Sequence, residues 1–461
     1  MDHITVRHIV EAVSGTLLCG DADTELKHIS IDSRSMRGAD LFVPLIGEKS
    51  DAHRFLVQAM DNGAAAALTS EHEAAPEGFH GALIQVKDTK LALQTIGRCL
   101  RARLSIPLVG ITGSVGKTTT REMVAAALSA KYKTFKTPAN HNSQIGVPLT
   151  ISEISENDEI GVLELGMSEP GEMAVIAEIA AVDSAVMTNI GVTHIENLGS
   201  RENILKEKLH IQDGMKAGGI LFVNGDNDML STVHAKAGCH TVRYGLGADN
   251  DYRAEDLSYP DGFPSFTMVH GEVRVPVKLT VMGEHNVMNA LAALAVADAY
   301  GVPLADAAEK LLEFGGFKNR QQIYHKNGYT IVDDTYNASP DSMKAAIGVL
   351  SSLPAGRRIA VLADMKELGE NTIQFHREVG AFLAEKPVDI LVVYGELAQA
   401  IAEGAKKVKP DLHVVSFEED EKEDMLDCLD PQIGEGDAVL FKGSNSMKLG
   451  EVAAHVCQRH H

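Results

Sequence analysis

The chain lacks sequence features that are typical of disulfide-rich and membrane proteins. Its 461 residues include no tryptophan, only 5% aromatic residues and five cysteines. The cysteines are scattered, odd in number and without a C-x-x-C pair, which argues against a disulfide framework and indicates free thiols in a reducing cytosol. No run of 18 apolar residues occurs, and no basic segment precedes an apolar one at the amino terminus. We therefore expect no membrane insertion and a cytoplasmic location.

Basic residues are also scarce, since 42 Lys and Arg face 64 Asp and Glu and give a formal charge of -22. Nucleic acid would have to bind against this overall field, so we expect no nucleic-acid partner. An anionic substrate must instead be met by local basic groups, backbone amides or a metal ion.

The length favours about three domains. Short apolar runs alternate with helical patterns through most of the chain, which is typical of α/β folds with mainly parallel sheets. We place the boundaries near 106 and 318 and predict a small α/β domain (1–105), a central P-loop-type domain (106–318) and a Rossmann-like C-terminal domain (319–461). The last has no G-x-G-x-x-G pattern, which argues against a dinucleotide there.

The stretch "ITGSVGKTTT" (111–120) lies between an apolar strand and a helix, where a phosphate-binding loop belongs. The strict P-loop pattern would require glycine at Ile111. Glycines let backbone N–H groups turn toward phosphate oxygens, the helix N-terminus adds positive potential, the lysine supplies charge and the threonine can ligate Mg²⁺. The predicted phosphate-binding residues are Gly113, Ser114, Val115, Gly116, Lys117, Thr118 and Thr119.

Two further polar residues follow apolar strands. Glu164 ends "GVLE" and His194 lies just past "AVMTNIG", both at the carboxyl edge where open parallel sheets bind ligands. A buried, hydrogen-bonded Glu or His is the alternative for each. Together with Thr118 at the same edge they favour a Mg²⁺ site, although His is an unusual Mg²⁺ ligand.

The order of motifs resembles that of the Mur ligases, which form amide bonds at the expense of ATP in peptidoglycan synthesis. The resemblance covers essentially the whole chain: "TGSVGKTTT", "NHNSQIGVPLTI", "ELGMSEPGEM", "TNIGVTHIENLGS", "GEHNVMNALAALAVA", "DDTYNASPDSMKAA", "ADMKELG" and "FKGSNSM". The loop of that family lacks the leading glycine, so Ile111 agrees with it. "IGVPLT", "DDTYNASP" and "DMKELG" are most similar to the member that adds D-alanyl-D-alanine to UDP-N-acetylmuramoyl-tripeptide.

This resemblance implies a reaction. The γ-phosphate of ATP is transferred to the terminal carboxylate of the peptide, and the acyl phosphate is then attacked by the amine of D-alanyl-D-alanine, giving amide, ADP and phosphate. Cations must screen the reacting anions. The implied partners are these two substrates, and a three-domain chain that closes on them can work as a monomer.

The resemblance also implies roles for residues of the central domain. Lys117 and one Mg²⁺ held by Thr118 and Glu164 would screen the ATP phosphates, and His194 would hold a second Mg²⁺. Similar enzymes carry a carbamylated lysine near this ion; of Lys206 and Lys208, on a predicted helix around 201–216, the spacing favours Lys208. Asn289 would contact adenine, while helix capping remains the alternative for the neighbouring Asn286.

In the other domains the implied ATP contacts are Arg320, Asp334, Tyr336, Asn337 and Lys442. The implied UDP-sugar contacts are Ser33, Arg34, Asp51 and His53, and the region expected to touch the acceptor or amine includes Asn140, Asn142 and Ser143. The chain departs from the family pattern at Ser143, Ala363 and Asn445, so the exact dipeptide preference stays open.

Two other interpretations remain open. One is a different carboxylate–amine ligase of the same architecture, acting on another peptide, on folate or on a poly-amino acid. The other is a nucleotide-dependent switch that forms no bond, which would not need the predicted metal ligands or the phosphate contacts of the third domain.

Overall fold

The computed structural model describes residues 1, 3–48 and 50–458 and contains three principal sheets, one in each predicted domain. Near the amino terminus, strands β2, β7, β6, β5 and β4 form a five-stranded sheet in that order; only β2 is antiparallel to its neighbour. β1 and β3 form a separate antiparallel pair. The elements of this part are β1 (Ile4–Thr5), α1 (Val6–Val13), β2 (Thr16–Cys19), β3 (Glu25–Leu26), β4 (His28–Ser30), β5 (Asp40–Phe42), α2 (Leu56–Asp61), β6 (Ala64–Thr69), β7 (Ala82–Gln85) and α3 (Thr89–Arg103).

The central sheet has nine strands in the order β16-β15-β14-β13-β12-β11-β8-β10-β9, and only the β14–β15–β16 end is antiparallel. Its elements are β8 (Leu108–Thr112), α4 (Lys117–Leu128), β9 (Thr134–Lys136), α5 (Gly146–Glu153), β10 (Ile160–Glu164), α6 (Glu172–Ala180), β11 (Ser184–Met187), α7 (Ile195–Leu198), α8 (Arg201–Leu209), β12 (Ile220–Asn224), β13 (His240–Gly245), β14 (Tyr252–Ser258), β15 (Ser265–His270), β16 (Val273–Lys278), α9 (His285–Ala299) and α10 (Leu304–Lys310).

The C-terminal sheet has the order β17-β18-β22-β19-β20-β21, parallel except for β17. Its elements are β17 (Gln322–Lys326), β18 (Tyr329–Asp334), α11 (Pro340–Ser352), β19 (Arg357–Ala363), α12 (Thr372–Ala384), β20 (Ile390–Tyr394), α13 (Gln399–Val408), β21 (His413–Phe417), α14 (Lys422–Gln432), β22 (Asp437–Lys442) and α15 (Leu449–Gln458). Ser339 caps α11 and Pro340 occupies its first turn.

Both faces of the central sheet are covered by helices. Every residue of β8, β10 and β11 is buried, which explains their nearly continuous apolar sequences. Side chains alternate between two cores: Val109 packs in the core of α4 and α9, whereas Leu108 belongs to a core that extends through α3 into the N-terminal sheet. The carboxyl ends of these strands are therefore held rigidly at one edge.

One helix is shorter than expected. The helix predicted over 201–216 ends at Leu209 and continues only as a 3₁₀ turn over His210–Gln212. At Gly214 a Cβ atom would lie 2.7 Å from the carbonyl oxygen of Ala177, so this position packs backbone to backbone against α6. In the described ranges, no helix is long and apolar enough to span a membrane.

Candidate active site

The phosphate loop adopts the strand–loop–helix arrangement expected from its sequence, with β8 before it and α4 after it. Gly113 and Gly116 have φ values of 153° and 83°, which side chains disfavour. A Cβ at Gly113 would lie 1.8 Å from Thr188 Oγ1, so the loop also requires glycine for close approach to the end of β11. Lys117 Nζ donates to the carbonyl oxygen of Gly113 at 2.8 Å, which folds the lysine back over the loop.

Asn189, which the sequence analysis did not single out, supports this loop. Its carbonyl oxygen accepts from the amide of Ser114 at 3.0 Å, and its Oδ1 accepts from the amide of Val115 at 2.8 Å. Ser114 Oγ in turn accepts from the amide of Gly191 at 2.9 Å. The end of β11 therefore fixes the loop conformation.

Glu164 is buried at the end of β10, and its two carboxylate oxygens have different partners. Oε2 lies 3.1 Å from Arg121 Nη1, and Oε1 accepts from Asn142 Nδ2 at 2.9 Å. Arg121 is 2% exposed and also donates to the carbonyl oxygen of Ala139 at 3.0 Å. A buried arginine thus holds both the predicted metal-binding carboxylate and the loop that contains Asn142.

His194 lies after β11 in the left-handed region, with φ of 63°. Its Nδ1 is 2.5 Å from Oε2 of Glu367, which belongs to the loop after β19 in the C-terminal domain. Burial lowers the pKa of the His194 imidazole. The charge of Glu367 acts to raise this pKa, whereas the charges of Lys117 and Lys208 lower it further. A neutral imidazole at neutral pH is the form that can ligate a metal.

Lys208 on α8 is 1% exposed. Burial lowers the pKa of its amine well below the usual range and the charge of Lys117 lowers it further, while Glu207 opposes both. In the part of the chain that the structure describes, Lys208 forms no ion pair. Burial likewise lowers the pKa of Lys117, with Glu164 opposing and Arg320 reinforcing the effect. Lys117 lines the cleft, whereas Lys208 lies buried near it and outside the lining.

Asn289, on α9, belongs to a buried chain of amides. Its Oδ1 accepts from Thr120 Oγ1 at 3.0 Å and its Nδ2 donates to Asn286 Oδ1 at 2.9 Å; Asn286 Nδ2 donates to the carbonyl oxygen of Met282 at 2.7 Å. Asn286 is therefore tied to the turn before the helix. Asn289 lines the cleft beside Gly116, and its contact with adenine stays a prediction.

In the C-terminal domain, Lys442 is buried at the end of β22. Its Nζ lies 2.7 Å from Asp334 Oδ2 and donates to the carbonyl oxygen of Asn337 at 2.9 Å. The guanidinium carbon of Arg320 lies 3.9 Å from the centre of the Tyr336 ring, a cation–π contact. The five predicted ATP contacts of this domain therefore lie together.

A cleft of about 560 Å³ brings the two domains' predicted residues together. It is lined by Ser114–Thr119, Asn142, Ser143, Glu164, His194, Asn289, Arg320, Asp334, Tyr336, Asn337 and Lys442, and also by His285 and Phe317, which sequence reasoning missed. Asn140 is exposed outside this lining. Ser143 Oγ accepts from the amide of Gly146 at 3.2 Å and so supports the start of α5.

The predicted UDP-sugar residues lie in the N-terminal domain. In the part of the chain that the structure describes, none of them lines this cleft. Ser33 is buried and its Oγ donates to Gln58 Oε1 at 3.3 Å. Arg34 is exposed and pairs with Asp32 at 2.7 Å, and this guanidinium holds the pKa of Asp32 at about 2. His53 Nδ1 lies 2.6 Å from Asp51 Oδ1. Their contact with UDP-sugar stays a prediction.

The side chains at the phosphate loop suit a Mg²⁺ ion that is bound together with a nucleotide. In residues 1, 3–48 and 50–458, no three His, Cys, Asp or Glu side chains converge to hold a metal. Mg²⁺, however, usually keeps several waters and is held by one or two carboxylates together with substrate phosphates. The Glu164 carboxylate and the Thr118 hydroxyl line the cleft at the phosphate loop, so they fit a Mg²⁺ ion bound together with a nucleotide.

Comparison with known proteins agrees with this geometry. Three family profiles match: "Mur ligase family, catalytic domain" over 25–102, "Mur ligase middle domain" over 111–297 and "Mur ligase, glutamate ligase domain" over 319–445. The UDP-N-acetylmuramoyl-tripeptide--D-alanyl-D-alanine ligase of Bacillus subtilis (strain 168) is 40% identical, covering 97% of each chain. The ligase of the same name from Escherichia coli (strain K12) is 32% identical, and the match covers 87% of this chain and 88% of the Escherichia coli chain.

Solved structures give the same result. MurF from Acinetobacter baumannii superposes with a TM-score of 0.89 at 31% identity, covering 99% of each chain. MurF ligase from Thermotoga maritima, solved in complex with ADP, has a TM-score of 0.81 at 29% identity, covering 93% of this chain and 96% of that one. The predicted three-domain α/β architecture is confirmed, and the chain belongs to the Mur ligase family.

Proposed function

We propose that this protein is the ATP-dependent ligase that joins D-alanyl-D-alanine to the terminal carboxylate of UDP-N-acetylmuramoyl-tripeptide. The products are the pentapeptide precursor of peptidoglycan, ADP and phosphate. The observation that carries this proposal is 40% identity over 97% of the chain to a ligase of that name. The cleft supports it, because a phosphate loop on one side faces Arg320 and Lys442 on the other.

The bond changes follow from the chemistry of a carboxylate, which is a poor electrophile. An oxygen of the peptide carboxylate attacks the γ-phosphorus of ATP, and the bond from that phosphorus to the bridging oxygen breaks to release ADP. The amine nitrogen then attacks the acyl carbon, the carbon–oxygen bond to phosphate breaks, and the amine loses its proton. Water must be kept from the acyl phosphate throughout.

The chain's own residues supply screening and position. Lys117 lies over the phosphate loop and would neutralise phosphate oxygens, while Arg320 and Lys442 approach from the C-terminal domain. Closure of this domain over the nucleotide would exclude water. Thr118 and Glu164 would hold one Mg²⁺ and His194 a second, and these ions would supply positive charge where the γ-phosphate and the carboxylate meet.

We further propose that Lys208 is carbamylated. A neutral amine attacks CO₂, forming a carbon–nitrogen bond and releasing a proton, and the lowered pKa of Lys208 favours the neutral amine. The carbamate would place a negative charge near Lys117 and could support the second ion. A ¹³C carbamate signal after incubation with labelled bicarbonate is expected from the wild type and not from Lys208→Ala. Short carboxylates should partly restore that variant, whereas full activity without them would remove Lys208 from the site.

Each of the three domains would have its own task in the reaction. Substrate binding by residues 1–105, nucleotide binding by residues 106–318 and closure by residues 319–461 agree with three separate sheets. Because one cleft contains the phosphate loop and the C-terminal contacts, the enzyme can work as a monomer. Its need for ATP agrees with a cytoplasmic reaction.

A substrate matrix tests the function. ADP release should require both UDP-N-acetylmuramoyl-tripeptide and D-alanyl-D-alanine, and the product should gain the mass of the dipeptide less water. Equal turnover with a single amino acid would instead indicate another amide ligase. Nucleotide binding without substrate-dependent turnover would indicate a switch.

A further inference from the structure

Four charged side chains of alternating sign lead from the protein surface to the phosphate loop. Lys136, at the end of β9, is about half exposed and pairs with Glu122 of α4. Nε and Nη2 of Arg121 both donate to Glu122 Oε1, at 3.1 Å and 2.8 Å, and Arg121 Nη1 donates to Glu164 Oε2 at 3.1 Å. We call these four residues the ion chain. Its inner end is Glu164, the candidate Mg²⁺ ligand.

The inner half of the ion chain is shielded from solvent and held from several sides. The side chains of Arg121 and Glu164 are 3% and 4% exposed. Arg121 Nη1 also donates to the carbonyl oxygen of Ala139, and Asn142 donates to the second carboxylate oxygen of Glu164. The backbone amide of Glu164 donates to Thr137 Oγ1 at 3.0 Å. The carboxylate therefore has a fixed position, and the guanidinium balances its charge before any ligand arrives.

The charges at this end of the cleft disfavour a free cation. The ion chain has two positive and two negative members and thus no net charge. Lys117 adds a positive charge nearby: burial lowers the pKa of its amine, and the charge of Glu164 opposes this effect. A lone divalent cation would therefore encounter a carboxylate that is already paired and a lysine that repels it. The phosphates of a nucleotide would bring the missing negative charge.

We propose that Arg121 is a positioning residue that makes metal binding depend on the nucleotide. It orients Glu164 for the ion and cancels enough of its charge that the ion binds only together with nucleotide phosphates. Among the residues that the structure describes, Arg121 is not part of the cleft lining, so it acts through Glu164. The assignment rests on the nucleotide and metal site of the proposed function. An ion that enters with the phosphates is already bound to the group that it must screen.

A titration with Mn²⁺ tests this role, because the electron paramagnetic resonance signal of Mn²⁺ reports the fraction that is free in solution. Without nucleotide, the wild type should bind little Mn²⁺. Arg121→Gln, whose amide can still donate to Glu164, should bind Mn²⁺ at least about tenfold more tightly, since a neighbouring cation changes the proton affinity of a carboxylate by this factor or more. Arg121→Lys keeps the charge and should resemble the wild type. The double variant Arg121→Gln, Glu164→Gln should lose the gain, which separates this site from the other carboxylates of an acidic chain.

A second change in the ion chain should act in the opposite direction. Glu122→Gln removes a negative charge beside Arg121, so Mn²⁺ should bind about threefold more weakly than to the wild type when a non-hydrolysable ATP analogue is present. Misfolding would weaken binding in both variants, whereas the charge argument requires opposite shifts. Arg98→Gln, which removes an arginine from the exposed pair with Glu178, is the matched control and should alter neither titration.

The outcomes separate this assignment from the proposed function. If the wild type retains no Mn²⁺ even with the ATP analogue, the proposed nucleotide and metal site is wrong and the role of Arg121 with it. If the wild type binds Mn²⁺ with the analogue but Arg121→Gln gains no binding without it, the role of Arg121 alone is wrong. Glu122→Gln leaves the buried pair of Arg121 and Glu164 in place, so unchanged or tighter binding by that variant would also contradict the proposal.

Discussion

Replacement of Arg121 by methionine should destabilise the central domain around the candidate site. The Arg121 and Glu164 side chains are only 3% and 4% exposed and lie 3.1 Å apart. Removing one member of such a pair leaves a buried charge, which typically costs about 3–5 kcal/mol. The hydrogen bond from Asn142 would remain on Glu164, so we expect the lower part of that range, about 3 kcal/mol.

Hydrogen exchange measured by mass spectrometry suits this prediction, because a three-domain chain need not unfold in one step. In Arg121→Met, amides of α4 and β10 that exchange by opening of the central domain should exchange about 100-fold faster, the equivalent of 3 kcal/mol. Glu164→Gln should have a smaller effect, because Arg121 also pairs with Glu122 at 2.8 Å. The double variant should be less affected than the sum of the two.

The matched control is the exposed pair of Arg98 and Glu178, 3.2 Å apart with 32% and 65% of their side chains exposed. Arg98→Met should cost less than about 1 kcal/mol, since solvent screens exposed pairs. Unchanged exchange of α4 and β10 in Arg121→Met, or strict additivity in the double variant, would refute the role assigned to Arg121.

Three further predictions concern backbone contacts and protonation. Gly380→Ala should destabilise the C-terminal domain by about 1–3 kcal/mol in calorimetry, because the new Cβ would lie 1.9 Å from a carbonyl oxygen of α13. The control is Gly348→Ala on α11, whose Cβ would meet no atom within 4 Å, so this change should be neutral or stabilising. Gly113→Ala should weaken ATP binding at least about tenfold by titration calorimetry, because its Cβ collides with Thr188 at 1.8 Å, and unaltered affinity would contradict this. Burial lowers the pKa of His376 below 6.5, so the unfolded chain binds this proton more readily and stability should fall as pH drops through about 6.5; His376→Gln should flatten that part of the thermal-unfolding profile.

Local patterns predicted the phosphate loop well. A strand, two glycines and a helix N-terminus are neighbours in the chain, so their geometry follows from the sequence alone, and Gly113 and Gly116 indeed have positive φ values. Glu164 and His194 were also expected at the sheet edge, because the ends of parallel strands meet there. The structure brings both into the cleft.

Partners that are distant in the chain were not predicted. Arg121 follows the loop by a single helical turn and resembles a solvated surface residue in sequence; only the fold places it against Glu164, 43 residues away. Glu367 contacts His194 from a different domain. Asn189 could have been suspected from the sequence only as an amide residue two positions after the buried strand β11. Such contacts depend on how the sheets are placed, which periodicity does not specify.

The burial of the lysines explains how an acidic chain can admit anions. With a formal charge of -22, the protein gains little from its overall field when it binds a nucleotide and a peptide carboxylate. Instead Lys117 and Lys208 lie close enough in a desolvated site for the charge of Lys117 to lower the pKa of Lys208. In such a site solvent screens the charge of Lys117 only weakly, so an arriving phosphate oxygen is attracted to it more strongly than to an exposed lysine. The same burial disfavours a charged amine at Lys208, so the carbamate proposed there would not have to replace a stable ammonium.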